Sequence, residues 1–154
     1  MKKVLEPKKR QNLQALSGAP LPLDDIHYLW PMVQRHFVRT GDYLWLEGEP
    51  NGRWGMVARG QIKVLKETEY PGHPVVLGVF GPGSLIFDSS FDPGRSRDTT
   101  AVAMEDVEIL YLSEQQFEKI LTDRPGLGHR LYRFILSSMT EQLRHANRRL
   151  AAIF

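Results

Sequence analysis

A chain of 154 residues with 42% hydrophobic and 25% charged content has the length and make-up of one domain around a single core. The absence of cysteine excludes disulfides and Cys-based metal or thiol chemistry, and fits a reducing, cytoplasmic setting. A net charge of +2 is too small to imply nucleic acid. No apolar run approaches the roughly 20 residues that span a bilayer, so no membrane role is expected.

Residues 1–20 start with the basic run KKVLEPKKR and continue with weak periodicity, which reads as an N-terminal arm or a short irregular helix. No apolar segment follows the basic start, so a signal peptide is not expected. A helical segment is predicted over residues 24–32, where Asp24 and Asp25 suit the positive end of the helix dipole and Pro31 ends or kinks the helix.

From His36 the character changes. HFVRTGDYLWLEGE, RWGMVARGQIKVLKE, PVVLGVF, TTAVAM and DVEILYL are short, β-branched and aromatic, and separated by turn signals. Such spacing predicts an all-β sandwich or barrel. Gly60 sits between Trp54–Ala58 and Ile62–Lys66 as in a tight hairpin. Three turns have Pro then Gly at their centre: Tyr70-Pro71-Gly72-His73, Gly81-Pro82-Gly83-Ser84 and Asp92-Pro93-Gly94-Arg95. Proline presets the first central position, and glycine accepts the positive φ that a type II turn needs at the second.

After Leu112 the pattern turns helical. Ser113 with Gln116 three residues on forms a capping box for a helix through Leu121. Asp123 or Thr122 caps the next helix, and Pro125 suits its first turn. Nothing breaks that helix before Phe154, so it should run about 40 Å. It carries two apolar faces. Leu127, Leu131, Phe134 and Ile135 form one near its start. Tyr132, Leu136, Met139, Leu143, Ala146, Leu150 and Ile153 form the other, an unbroken heptad repeat. Two stripes need two partners. One face is expected to pack on the β-domain and the other on a second copy, giving a homodimer. The expected organisation is an arm over residues 1–20, a β-domain with flanking helices over 21–124, and the long helix over 125–154.

This order resembles the cyclic nucleotide-binding domain of the Crp/Fnr type. The likeness runs from about Asp24 to Phe154 and is carried by RTGDYLWLEGE…MVARGQIKV, FGPGSLIFD and RDTTAVAMEDVEILYLSEQQFEKIL. It implies a mainly β fold with flanking helices: a double-stranded β-helix, or jelly-roll-like β-roll, with a long C-terminal dimerisation helix. In that family a phosphate cassette reads Phe-Gly-Glu and, after a short loop, Arg-Ser/Thr-Ala. The glycine lets backbone N–H groups approach the cyclic phosphate, the arginine forks onto it, and the glutamate accepts from the ribose 2′-hydroxyl. Ile86-Phe87-Asp88 and Arg97-Asp98-Thr99 match these triplets here. Arg97 then takes the phosphate, and Asp88 keeps a carboxylate with shorter reach. Phe87 replaces the glycine, and Asp98 puts a carboxylate where the phosphate would sit. Asp98 is expected to pair with Arg97 or Arg95 instead. The family also covers the base with its long helix, at positions that match Ala146 and Asn147.

Other chemistry finds no support in the residues. His27, His36, His73, His129 and His145 are scattered without metal-ligand spacing. GPGSLI lacks the third glycine and following helix of a nucleotide fingerprint, and no Gly-x-Ser-x-Gly elbow occurs. Trp30, Trp45 and Trp54 read as core or rim packing, with stacking on a purine as the alternative for one near the loop. The expected function is a non-enzymatic, dimeric regulatory domain of this fold whose phosphate cassette is degenerate, so that its ligand is altered or lost. The alternatives are a working cAMP or cGMP receptor acting through a partner protein, and a structural dimerisation module. Candidate ligands are cAMP, cGMP or another anionic small molecule. Crp/Fnr regulators continue into a helix-turn-helix, and this sequence stops where that domain would begin. If complete, the chain is expected not to bind DNA in their manner.

Overall fold

The computed structural model describes residues 21–50, 53–86 and 94–154. The arm, Phe87, Asp88, Asp92 and Pro93 lie outside the described residues. Helix α1 (Leu23–Leu29) leads into a 3-10 turn (Trp30–Met32). Proline at the start of that turn has no N–H to lose, so Pro31 converts the helix rather than breaking it. Eight strands follow: β1 (Gln34–Val38), β2 (Tyr43–Trp45), β3 (Arg53–Arg59), β4 (Ile62–Lys66), β5 (Val75–Phe80), β6 (Leu85–Ile86), β7 (Thr100–Ala103) and β8 (Val107–Ser113). Helices α2 (Glu114–Asp123) and α3 (Pro125–Ala151) complete the chain.

The strands form two antiparallel four-stranded sheets, ordered β1-β8-β3-β6 and β2-β7-β4-β5. This is the expected β-roll. One local expectation is overturned. β3 and β4 do not pair with each other: β3 lies between β8 and β6, and β4 between β7 and β5. The Gly60 turn therefore crosses from one sheet to the other. The two apolar runs that flank it read alike in a hairpin and in a sheet crossing, because each strand buries side chains in the space between the sheets.

That space holds one core cluster, including Trp45, Val57, Ile62, Val64 and Ile109. A second cluster packs the helices on the outer face of the first sheet, where Met56, Leu110 and Leu112 meet Leu29, Phe117, Ile120, Leu127 and Leu131. β8 is buried on both faces, which explains its near-continuous apolar sequence. Glu108 is its one buried charge, and it accepts from Arg35 Nε at 2.5 Å. Asp25 does more than favour a helix dipole: it is buried and accepts from Arg130 Nε at 2.7 Å, tying α1 to α3.

The turns and caps follow their residue chemistry. Ser84 N donates to Gly81 O at 3.1 Å and His73 N to Tyr70 O at 3.2 Å, with positive φ at Gly83 and Gly72. The capping box at Ser113 and Gln116 is formed on both sides. The start of α3 differs from expectation. Arg124 is its N-cap and no side chain caps it, while Thr122 Oγ1 donates back to Glu118 O. The 27 residues of α3 extend about 40 Å, and only the first half carries buried residues. Its two apolar faces separate as the spacing predicts. Leu127, Leu131 and Ile135 are buried, whereas Leu136, Leu143 and Leu150 are 61%, 61% and 57% exposed.

Candidate functional site

The second half of the cassette is fixed residue by residue. The main chain of Arg97 pairs with the β2–β3 connection: its N–H donates to Glu49 O at 2.8 Å, and its carbonyl accepts from Gly48 N at 2.8 Å. The Asp98 carbonyl accepts from Lys66 Nζ at 2.8 Å, and the same ammonium pairs with Glu47. Thr99 Oγ1 accepts from Trp45 Nε1 at 3.3 Å, and Thr100 Oγ1 from Glu47 N at 3.0 Å. Four consecutive residues thus take their positions from β2, β4 and the turn between β2 and β3.

The Arg97 guanidinium carbon lies 4.6 Å from the centroid of the Trp45 ring, within cation–π range. Trp45 is 4% exposed, so the arginine rests on a ring that the core holds still. Asp98 is placed differently from expectation. Its side chain is exposed, and no ion pair joins it to Arg97 or Arg95 among the described residues. A carboxylate facing water gains little from a neighbouring cation. What residue 98 contributes to the packing is its carbonyl.

Between this segment and α3 lies a cavity of about 360 Å³. From the roll come Trp45, Val64, Leu77, Phe80, Leu85, Ile86 and Thr99, and from α3 come Gln142, Leu143 and Ala146. Its volume is at the lower end of small-molecule sites. Thr99 and Gln142 are the polar, non-indole side chains of that lining, and none of the ten residues carries a formal charge. Gln142 Nε2 donates to Leu85 O at 2.8 Å, which leaves its amide oxygen as an acceptor. The described lining offers apolar and hydrogen-bonding contact and holds no nucleophile–base pair.

Of the sequence-derived site residues, Thr99 lines the cavity and Arg97 lies against its Trp45 wall. Asn147 is exposed and is not among the lining residues; Gln142 and Leu143, about one helical turn earlier, take that place together with Ala146. Phe87 and Asp88 lie outside the described residues. Sequence reasoning did not single out Gln142, Glu47 or Lys66. Gln142 sits inside the heptad pattern without a mark of its own, and Glu47 and Lys66 meet only when β7 brings β2 and β4 into one sheet.

The Glu47–Lys66 pair should make the position of residues 97–100 sensitive to acid. Glu47 is held below its ordinary value of 4.5, first by the hydrogen bond from Lys66 and then by that from the Glu67 amide. A carboxylate depressed on folding stabilises the native state above its unfolded pKa, and that contribution is lost as pH falls through the folded one. The tie to residue 98 should therefore be complete at a pH above the ordinary value of 4.5 and weaken at a lower pH, once the depressed folded value is passed. Amide exchange at residues 97–100, corrected for intrinsic rates, should rise at the lower pH in the native protein. In Glu47→Gln it should already be raised at the higher pH. Equal protection at both pH values in the native protein would count against this tie.

A two-sheet roll with a cavity beneath its C-terminal helix is the arrangement that the resemblance implied. The sequence profile of the cyclic nucleotide-binding domain matches residues 35–124, more than half of the chain, and the chain belongs to that family. It is 26% identical over 130 residues to the cyclic AMP receptor protein of Thermus thermophilus, covering 82% of this chain and 60% of that protein. A solved cyclic nucleotide-binding domain from Methylobacillus flagellatus superposes with a TM-score of 0.83 at 20% identity, over 94% of this chain and 83% of the other. The c-di-GMP responsive global regulator of Xanthomonas campestris shares the fold with a TM-score of 0.76 at 17% identity, over 84% of this chain and 63% of that one. No described helix is long and apolar enough to cross a membrane.

Proposed function

We propose that this chain is a non-enzymatic, dimeric regulatory domain of the cytoplasm whose cavity has turned from cyclic mononucleotides toward a planar ligand of low charge. The observation that carries this reading is the lining beneath Gln142, Leu143 and Ala146. Apart from Thr99 and Gln142 it is apolar, and it carries no charge among the described residues, while Arg97 lies across the Trp45 ring. A cyclic phosphate needs a cation turned toward it, and drawing Arg97 away would cost its indole contact. A heterocycle facing Trp45 and Phe80, with its edge on Gln142 Oε1, needs no such movement. The likeness of this fold to a c-di-GMP responsive regulator supports a ligand range beyond cyclic mononucleotides.

Isothermal titration at fixed salt against cAMP, cGMP, c-di-GMP, adenosine and guanosine tests the reading. A nucleoside is expected to bind more tightly than cAMP. Micromolar or tighter cAMP binding that Arg97→Ala abolishes would replace it with the working cAMP receptor, which the firmly placed Arg97 main chain favours. Silence with every compound would leave the structural dimerisation module.

Dimerisation rests on the outer face of α3. Beside it, a groove of about 520 Å³ between α2 and α3 is lined by Trp54, Phe117, Tyr132, Ile135, Leu136 and Met139, with Glu114 and Glu118. Tyr132, Leu136 and Met139 belong to the heptad stripe, so groove and stripe form one apolar surface. Trp54 Nε1 is buried there without an acceptor among the described residues. A parallel second copy of α3 would cover this surface. The domain would then signal by the relation between two α3 helices to a partner protein or an attached domain.

A further inference from the structure

We infer that Arg149 is a clasp that holds α3 closed over the cavity and so controls access to it; the functional meaning of the clasp rests on the reading of that cavity as a ligand site. Burial along α3 is lopsided. Leu127, Gly128, Leu131 and Ile135 are buried in its first half, and beyond Ile135 no residue of the helix is. The half that roofs the cavity is thus fastened by polar contacts. Segments with few buried apolar contacts open locally at low cost.

Two side chains on one face make the fastening. Gln142 Nε2 donates to Leu85 O at 2.8 Å. Arg149, two turns on, donates from Nη1 to Leu77 O and from Nη2 to Val76 O. Ala146 lies between them in sequence and lines the cavity, as does Leu77.

The strand is shaped for this grip. β5 is an edge strand, paired with β4 alone. Its register slips: Val64 faces Gly78 and Leu65 faces Val76, so Leu77 is the extra residue of a bulge. A bulge interrupts the alternation of a strand, which explains how two successive carbonyls turn toward one guanidinium. The forked cation also caps exposed edge carbonyls beside Val75, Val76, Leu77 and Val79, all of which are solvent-exposed. A lysine has one ammonium and cannot fork across both carbonyls in the same way.

The chain has no cysteine, so a single thiol can report access. Val64→Cys places it in the cavity wall, at a side chain 7% exposed. Its rate of reaction with 5,5′-dithiobis(2-nitrobenzoate) is measured alone and combined with Arg149→Ala, Arg149→Lys or Arg148→Ala. Removing the clasp should speed labelling at least about tenfold, the scale set by charged hydrogen bonds. Lysine should fall between, and Arg148→Ala should match the parent. Equal rates for Arg149→Ala and the parent would overturn the clasp, as would an equal acceleration by Arg148→Ala. Amide exchange locates the opening: it should quicken in residues 75–80 and 139–151 and stay slow in β3 and β8. Quickening in β3 and β8 as well would mean general loosening and would also overturn it. No ligand enters these measurements, so a silent titration leaves their outcome intact.

Discussion

Alanine at Gly60 should cost the domain about 3 kcal/mol of folding stability, against about 1 kcal/mol for alanine at Gly72. Both glycines have φ near +80°, at 81° and 80°. The backbone strain of an L residue is therefore the same in the two. Their surroundings differ. A Cβ on Gly72 meets nothing within 4 Å, whereas one on Gly60 would lie 2.4 Å from Asp106 O and 3.0 Å from Val107 Cα. Those are backbone atoms at the start of β8, which cannot rotate aside. Gly60 carries the chain from one sheet to the other at this close approach, so relief requires the sheets to shift. Urea denaturation of the two variants checks the difference. Equal losses would show that the crossing yields more readily than its packing implies.

Glutamate at Leu136 should turn the proposed dimer into a monomer, raising its dissociation constant at least about a hundredfold. Leu136 belongs to both the heptad stripe and the α2–α3 groove, and it is 61% exposed in the single chain. A carboxylate there meets water in the monomer and costs it little. In the dimer it would enter an apolar contact twice, once from each copy. Sedimentation equilibrium decides between the outcomes. A mass that does not change, or a native chain that is already monomeric, removes the dimer from the proposal. Leu136 does not line the α3 cavity, so a monomer that still binds the nucleoside would separate assembly from recognition.

Most of this fold was legible in the chain because its signals are local. Pro-Gly pairs set the turns at 70–73 and 81–84, Ser113 and Gln116 close their own capping box, and the two stripes of α3 lie on different faces by spacing alone. The resemblance to the cyclic nucleotide-binding fold rested on such punctuation, and the family profile agrees with it. A residue's contribution stays legible when its partner lies within a turn or two of chain.

What needed the tertiary structure was every contact between distant segments. The Gly60 turn reads as a hairpin because strand alternation does not say which sheet a strand joins; the pairings of β3 with β8 and of β4 with β7 decide that. Asp98 sits beside two arginines in sequence, yet its carboxylate faces solvent while its carbonyl meets Lys66 from another strand. Arg97 lies on Trp45, over fifty residues earlier, as the core fixes the ring and the β2–β3 turn fixes the arginine's main chain. The roof of the cavity falls on Gln142 and Ala146 rather than Asn147 because the helix's rotation is set by Leu127, Leu131 and Ile135 docking on the first sheet. Sequence determined which elements form and which faces are apolar, since those depend on neighbours along the chain. Tertiary packing alone decided which side chains meet across them, because a side chain's distant partners are chosen by the closure of the whole core.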